Sequence, residues 1–174
     1  VPRWFTEGLA EYETLIARPE WKREMDHHLY AALEGDRLPP LRLMNRAFTR
    51  ARSAMGVMVA YYASTHIIRY IVERFGFDKV VAMLRAWGRG ERTEAIVQRV
   101  LGVDLETLDR DFRAEERQRL ASHANDFNVD FESYTELEPH AEAAAAAPND
   151  AAKVAAHAAA LLVAGEREEA TAKA

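Results

Sequence analysis

The chain has 174 residues, 49% of them hydrophobic, which suits one domain with a real core plus a small appendage and excludes a disordered chain. A net charge of −5 argues against a nucleic-acid-binding face, and the absence of cysteine removes disulfides, thiolate zinc sites and cysteine nucleophiles. No apolar run reaches the length of a membrane span; the longest, Val57 to Val72, is broken by Ser64, His66 and Arg69.

The pattern predicts helices almost throughout, hence a mainly α fold. Thr6 is expected to cap a first helix from Glu7 to Ala17, with Leu9, Tyr12 and Ile16 facing the core. Pro19 separates it from a second helix over Glu20 to Glu34, which Gly35 would stop in a left-handed conformation. Gly35 to Ser53, with Pro39-Pro40, reads as a loop containing a short helical turn. The longest helix is expected over Ala54 to Phe75, ending at Gly76. Further helices follow over Asp78 to Trp87 and from Thr93 to Gly102, and Asp104 caps a charged one reaching Ala121. Strand-like alternation is confined to short pieces near Phe127 to Phe131.

Composition changes near His123. Residues 1–122 form the expected main helical part, 123–137 a linker, and 138–174 an Ala-rich appendage. There Pro148, Ala158, Gly165 and Ala170 are spaced as in a tetratricopeptide repeat: small residues where two antiparallel helices touch, glycine at the turn. About one such α-hairpin is present, and units of this kind bury their faces on neighbours. A generic Ala-rich hairpin is the plainer reading of the same residues.

Two constellations bear on chemistry. Glu7 and Glu11 are four apart and share one helix face, while Gly8 and Ala10 keep the flanks thin enough for another helix to approach. By spacing alone this is a solvated acidic face. On the long helix, Tyr62, His66, Arg69 and Glu73 form a polar stripe that must line a cleft or be satisfied by buried partners. Glu24, His27 and His28 offer a carboxylate and imidazoles one turn apart, but a di-iron bundle needs two such units and only one occurs. His123, His140 and His157 show no ligand spacing.

The run Trp4-Phe5-Thr6-Glu7-Gly8-Leu9-Ala10-Glu11-Tyr12 resembles the segment after the zinc-binding helix of gluzincin metallopeptidases, above all the peptidase MA-like families, and is similar to the matching segment of aminopeptidase-N-like enzymes. Ala60 to Gly76 resembles the helix that follows. Gly76-Phe77-Asp78-Lys79, Trp87-Gly88-Arg89-Gly90 and Leu101 to Leu105 extend the likeness over about Val1 to Leu120.

The resemblance implies the C-terminal helical part of a zinc-dependent peptidase that hydrolyses peptide bonds with a metal-activated water. By it, Glu7 is the third protein ligand of Zn2+, Glu11 supports a ligand histidine, and Tyr62 stabilises the oxyanion, with Tyr61 as the alternative. The family's His-Glu-x-x-His, which supplies two ligands and the general base, is not in the chain. The expectation is therefore a piece of a longer protein whose metal site is incomplete here. Implied partners are a peptide or protein substrate and a protein bound through the helical repeats. The competing reading is a peptidase-like helical scaffold without catalysis, whose repeats bind a protein. Substrate, bond preference and compartment are not fixed by these residues.

Overall fold

The computed structural model describes residues 1–22, 24–51, 53–125 and 134–173. Its regular elements are all helical among the described residues, in two compact units, Val1–Asp126 and Phe127–Ala174.

The first unit begins with α1, Arg3–Ala17, which starts four residues before the expected Glu7. The reason lies far away in sequence. The Asn45 side chain accepts from the Trp4 backbone N–H at 3.3 Å, and Pro2 O accepts from the N–H groups of Phe5 and Thr6. These contacts satisfy donors that a helix start leaves without partners. Thr6 is thus inside the helix rather than its cap, and its hydroxyl donates to Arg3 O. Trp4, Phe5 and Gly8 form the fully buried face of α1. Leu9 and Tyr12 pack at the core's margin, whereas Ile16 is 60% exposed, against expectation.

After a 3-10 turn at Pro19–Trp21, α2 spans only Asp26–Glu34. The second helix thus starts at Asp26 instead of Glu20 and has nine residues where about fifteen were expected. Gly35 is not left-handed (φ −82°); Asp36 takes that conformation at φ +51°. The loop beyond holds a 3-10 turn at Leu41–Leu43 and a single helical turn, α3, at Arg46–Thr49.

The central element is α4, Ala54–Phe75, with Ser53 capping its start through the Gly56 N–H. It is 22 residues long, about 33 Å at the usual rise. Its Ala63, Ile67, Ile68 and Ile71 are essentially inaccessible to solvent. It shares one core with α5, Phe77–Gly88, which packs against it, with α6, Thr93–Leu101, which packs against α5, and with α7, Leu105–Arg119. The predicted stops and caps are found here: Gly102 is left-handed at φ +77°, and Asp104 accepts from the Thr107 N–H. Phe5 sits edge-on to Trp87 of α5 with centroids 4.5 Å apart, joining α1 to the same core. Burying aromatic side chains such as Trp4 and Phe5 stabilises the fold by about 2–3 kcal/mol each.

The second unit contains α8, Leu137–Ala146, α9, Ala151–Ala164, and α10, Arg167–Lys173. Asp150 caps α9, Gly165 turns at φ +90°, and Ala144, Ala158, Ala160, Leu161 and Ala170 are buried. The expected small-residue contacts at Ala158 and Ala170 therefore sit inside a helical hairpin. Most of the expected linker, including the strand-like pieces near Phe127 to Phe131, lies outside the described residues. No helix among the described residues is long and apolar enough to cross a membrane.

Candidate functional site

The α1–α4 pair places Glu7. These two helices make the most extensive helix–helix contact of the unit. Gly8 is where they meet: a Cβ added there would lie 2.3 Å from Ser64 O and 2.6 Å from its carbonyl carbon. Real Cβ atoms do not approach backbone so closely, so the close crossing requires glycine. Ser64 is itself fully buried, and its hydroxyl has no hydrogen-bond partner. With Gly8 turned into α4, the neighbouring Glu7 is left on the rim, its side chain 32% exposed.

Arg3, one turn before Glu7, links this carboxylate to α4. Its Nε donates to Glu7 Oε1 at 3.2 Å and its Nη2 donates to Tyr61 Oη at 3.3 Å. The guanidinium also lies 5.1 Å over the ring of Phe48 in α3, and Phe48 meets Tyr61 edge-on at 5.1 Å. Glu11, partly buried, makes no hydrogen bond or ion pair among the described residues.

Tyr62, the next residue, belongs to a different cluster. Its hydroxyl donates to Asp26 Oδ1 of α2 at 2.7 Å, and its ring lies 4.4 Å from that of His66. Arg119 forks onto Asp26 with bonds of 2.7 and 2.9 Å and onto Glu116 at 2.7 and 2.9 Å. Glu116, its side chain 3% exposed, also accepts from Arg69 at 3.0 Å and lies 3.2 Å from His66 Nδ1. The polar stripe anticipated on α4 is therefore a hydrogen-bonded network reaching α2 and α7, with Glu73 at its outer end 3.8 Å from Arg69.

The charges in this network are mutually held. Burial alone would raise the Asp26 and Glu116 carboxyls, but hydrogen bonds from their partners outweigh it. Arg119 and Tyr62 hold Asp26 well below the usual carboxylate range. His66 and Arg119 bring Glu116 down to about 2. Burial lowers His66, aided by Arg69 and Arg119 and opposed by Glu116. Burial, then the bond to Asp26, pushes the Tyr62 phenol well up.

Of the residues expected to carry chemistry, the structure thus joins Glu7 to Tyr61 through Arg3 and ties Tyr62 to Asp26. Arg3, Asp26, Glu116 and Arg119 were not anticipated from sequence. Arg3 could have been, since it stands four residues before Glu7 on one helix face; the other three come from distant segments.

As a metal donor, Glu7 has its Oε1 engaged by Arg3, and the rim position leaves the carboxylate accessible. No group of three or more His, Asp or Glu side chains that could hold a metal ion occurs among the described residues. Glu24, His27 and His28 do not form one either. Glu7 fits as one ligand of a set and does not make a centre by itself. No curated protein and no solved structure matches the chain. A family model described as the Peptidase MA superfamily matches residues 1–117.

Proposed function

The chain belongs to the Peptidase MA superfamily, and from that premise we propose that it forms the C-terminal helical part of a zinc-dependent peptidase of gluzincin type, with Glu7 as the carboxylate ligand. The single observation that carries this reading is the pairing of Glu7 with Tyr61 on the rim of the α1–α4 crossing. There an accessible carboxylate and a phenol on facing helices are joined through Arg3.

Two imidazoles and a general-base carboxylate would have to come from a His-Glu-x-x-His segment, which these 174 residues do not contain. Zn2+, when bound, supplies the Lewis acidity that lowers the pKa of a bound water. This chain's residues do the rest of what can be assigned. Gly8 fixes α1 on α4. Glu7 offers a carboxylate oxygen to the metal, and Glu11, one turn on, stands where it can orient a ligand imidazole. A phenol near neutral pH keeps its proton and can hydrogen-bond to a developing oxyanion.

Of the two phenols, we assign Tyr61 to that task. Tyr62 was expected from the resemblance, but its proton is already donated to Asp26. The Ala-rich second unit, read as the start of a tetratricopeptide-like region, serves as a protein-binding appendage.

The test is made on the full-length protein. Its sequence is expected to contain His-Glu-x-x-His before Val1, and the purified protein to hold about one zinc per chain, lost on Glu7→Ala together with peptidase activity. Unchanged zinc content in that variant would overturn the ligand assignment. Absence of the motif upstream would favour the non-catalytic scaffold.

A further inference from the structure

Glu7 and Tyr61 stand on different helices, and Arg3 bonds to both. An arginine side chain carries only donors, so at Tyr61 the phenol oxygen is the acceptor. The O–H proton is therefore not directed at Arg3. The Tyr61 hydroxyl makes no other hydrogen bond among the described residues. A hydroxyl that accepts from a cation becomes a stronger donor through its own hydrogen.

At Glu7 the same guanidinium holds Oε1, which limits the rotation of the carboxylate and leaves Oε2 as the oxygen that can turn to a ligand. Arg3 is itself fixed by the ring of Phe48, which also packs edge-on against Tyr61. A lysine could not repeat this arrangement. Its three donors sit on a single nitrogen, without the rigid plane that carries Nε to Glu7 and Nη2 to Tyr61.

We propose that Arg3 is the positioning residue of this site: it aims the Glu7 carboxylate and sets the Tyr61 hydroxyl as an outward hydrogen-bond donor. The inference rests on the assignment of Glu7 and Tyr61 made above. The role assigned to Arg3 needs no contact with substrate or metal; its effect passes through the two side chains it holds.

The experiment uses the full-length protein and four variants: Arg3→Ala, Arg3→Lys, Tyr61→Phe, and the double variant Arg3→Ala with Tyr61→Phe. Zinc affinity is read by chelator competition, and kcat and KM are measured on a peptide substrate. Arg3→Ala is expected to weaken zinc binding by about tenfold and to lower kcat by about tenfold, with KM changed by less than about twofold. Arg3→Lys, which keeps the charge over Phe48, restores thermal stability but not kcat. At saturating zinc, where the effect through Glu7 on affinity is removed, Arg3→Ala in the Tyr61→Phe background lowers kcat no further.

Full recovery of kcat by lysine, additive losses in the double variant, or unchanged zinc affinity in Arg3→Ala each overturns the proposal. Failure of the underlying assignment has a different signature: Glu7→Ala retains zinc, or Tyr61→Phe retains kcat, whatever Arg3 does.

Discussion

Adjacent tyrosines on α4 open onto two polar clusters of opposite character. Around Tyr62 the groups are many and closed on one another: Asp26, Arg119, Glu116, His66 and Arg69 satisfy each other, and Glu116 is almost fully buried. Around Tyr61 they are few, half-exposed and joined by a single arginine. The denser cluster has the larger pKa shifts, which on their own would nominate it as the active site. Yet a network whose carboxylates are all held by its own arginines, histidine and tyrosine, with only Arg69 Nε of its buried atoms left without a hydrogen bond, has little left to offer a substrate. The sparse cluster retains a phenol proton with no acceptor among the described residues and an accessible carboxylate oxygen. Here electrostatic perturbation marks what fastens α2 and α7 to α4, and unused hydrogen-bonding capacity marks the candidate site.

The sharpest way to break this contrast is Glu116→Ala. It leaves Arg69 and Arg119, both partly buried, without the buried carboxylate they share, and unfolding in urea should show a loss of about 3 kcal/mol. A loss below about 1 kcal/mol would mean that the network is not a fastening. Gly8→Ala comes next. The new methyl meets backbone rather than a pliable side chain, so α1 must move off α4, at about 2 kcal/mol by the same measurement.

The tyrosines themselves should separate stability from turnover. Tyr62→Phe removes one bond to Asp26 and should cost about 1 kcal/mol, while lowering kcat of the full-length protein less than Tyr61→Phe does. Tyr61→Phe should change stability by less than about 0.5 kcal/mol and lower kcat about a hundredfold. The reverse ranking would return the oxyanion role to Tyr62.

The smallest expected effect is in the acid response. Unfolded His66 takes up a proton near its ordinary value of 6.5, before the folded residue does, so acidification through that point favours unfolding. Glu116 is protonated near 4.5 when unfolded and near 2 when folded, so its stabilisation is complete above 4.5 and lost as pH falls towards 2. Stability should therefore decline in two stages on acidification. His66→Gln should abolish the upper stage and keep the lower one; loss of both, or of neither, would contradict the network's charge pattern.

The helices from α4 to α7 were legible because their signals are local: a long apolar run, a serine or aspartate before the first turn, a glycine after the last. Gly8's role as a thin flank was legible for the same reason. The start of α1 was not, because its first N–H groups are answered by Pro2 and by Asn45, 41 residues away. The same distance problem hid the network's partners. Tyr62 meets Asp26 across 36 residues and His66 meets Glu116 across 50. The polar stripe announced that partners must exist but could not name them. Choosing between Tyr61 and Tyr62 depended on which neighbour each hydroxyl found, and one residue's rotation on a helix, about 100°, was enough to separate them.

The Gly8 notch also has an evolutionary side. Glu7 and Gly8 are adjacent letters answering to different demands: one, in the function proposed above, to a metal ion, the other to the van der Waals radius of a carbonyl oxygen on α4. A descendant that abandoned catalysis could let the glutamate drift, yet it would still need the glycine to keep its two principal helices docked. Among relatives, the pair should decay in that order, so that a lone surviving glycine records a lost enzyme.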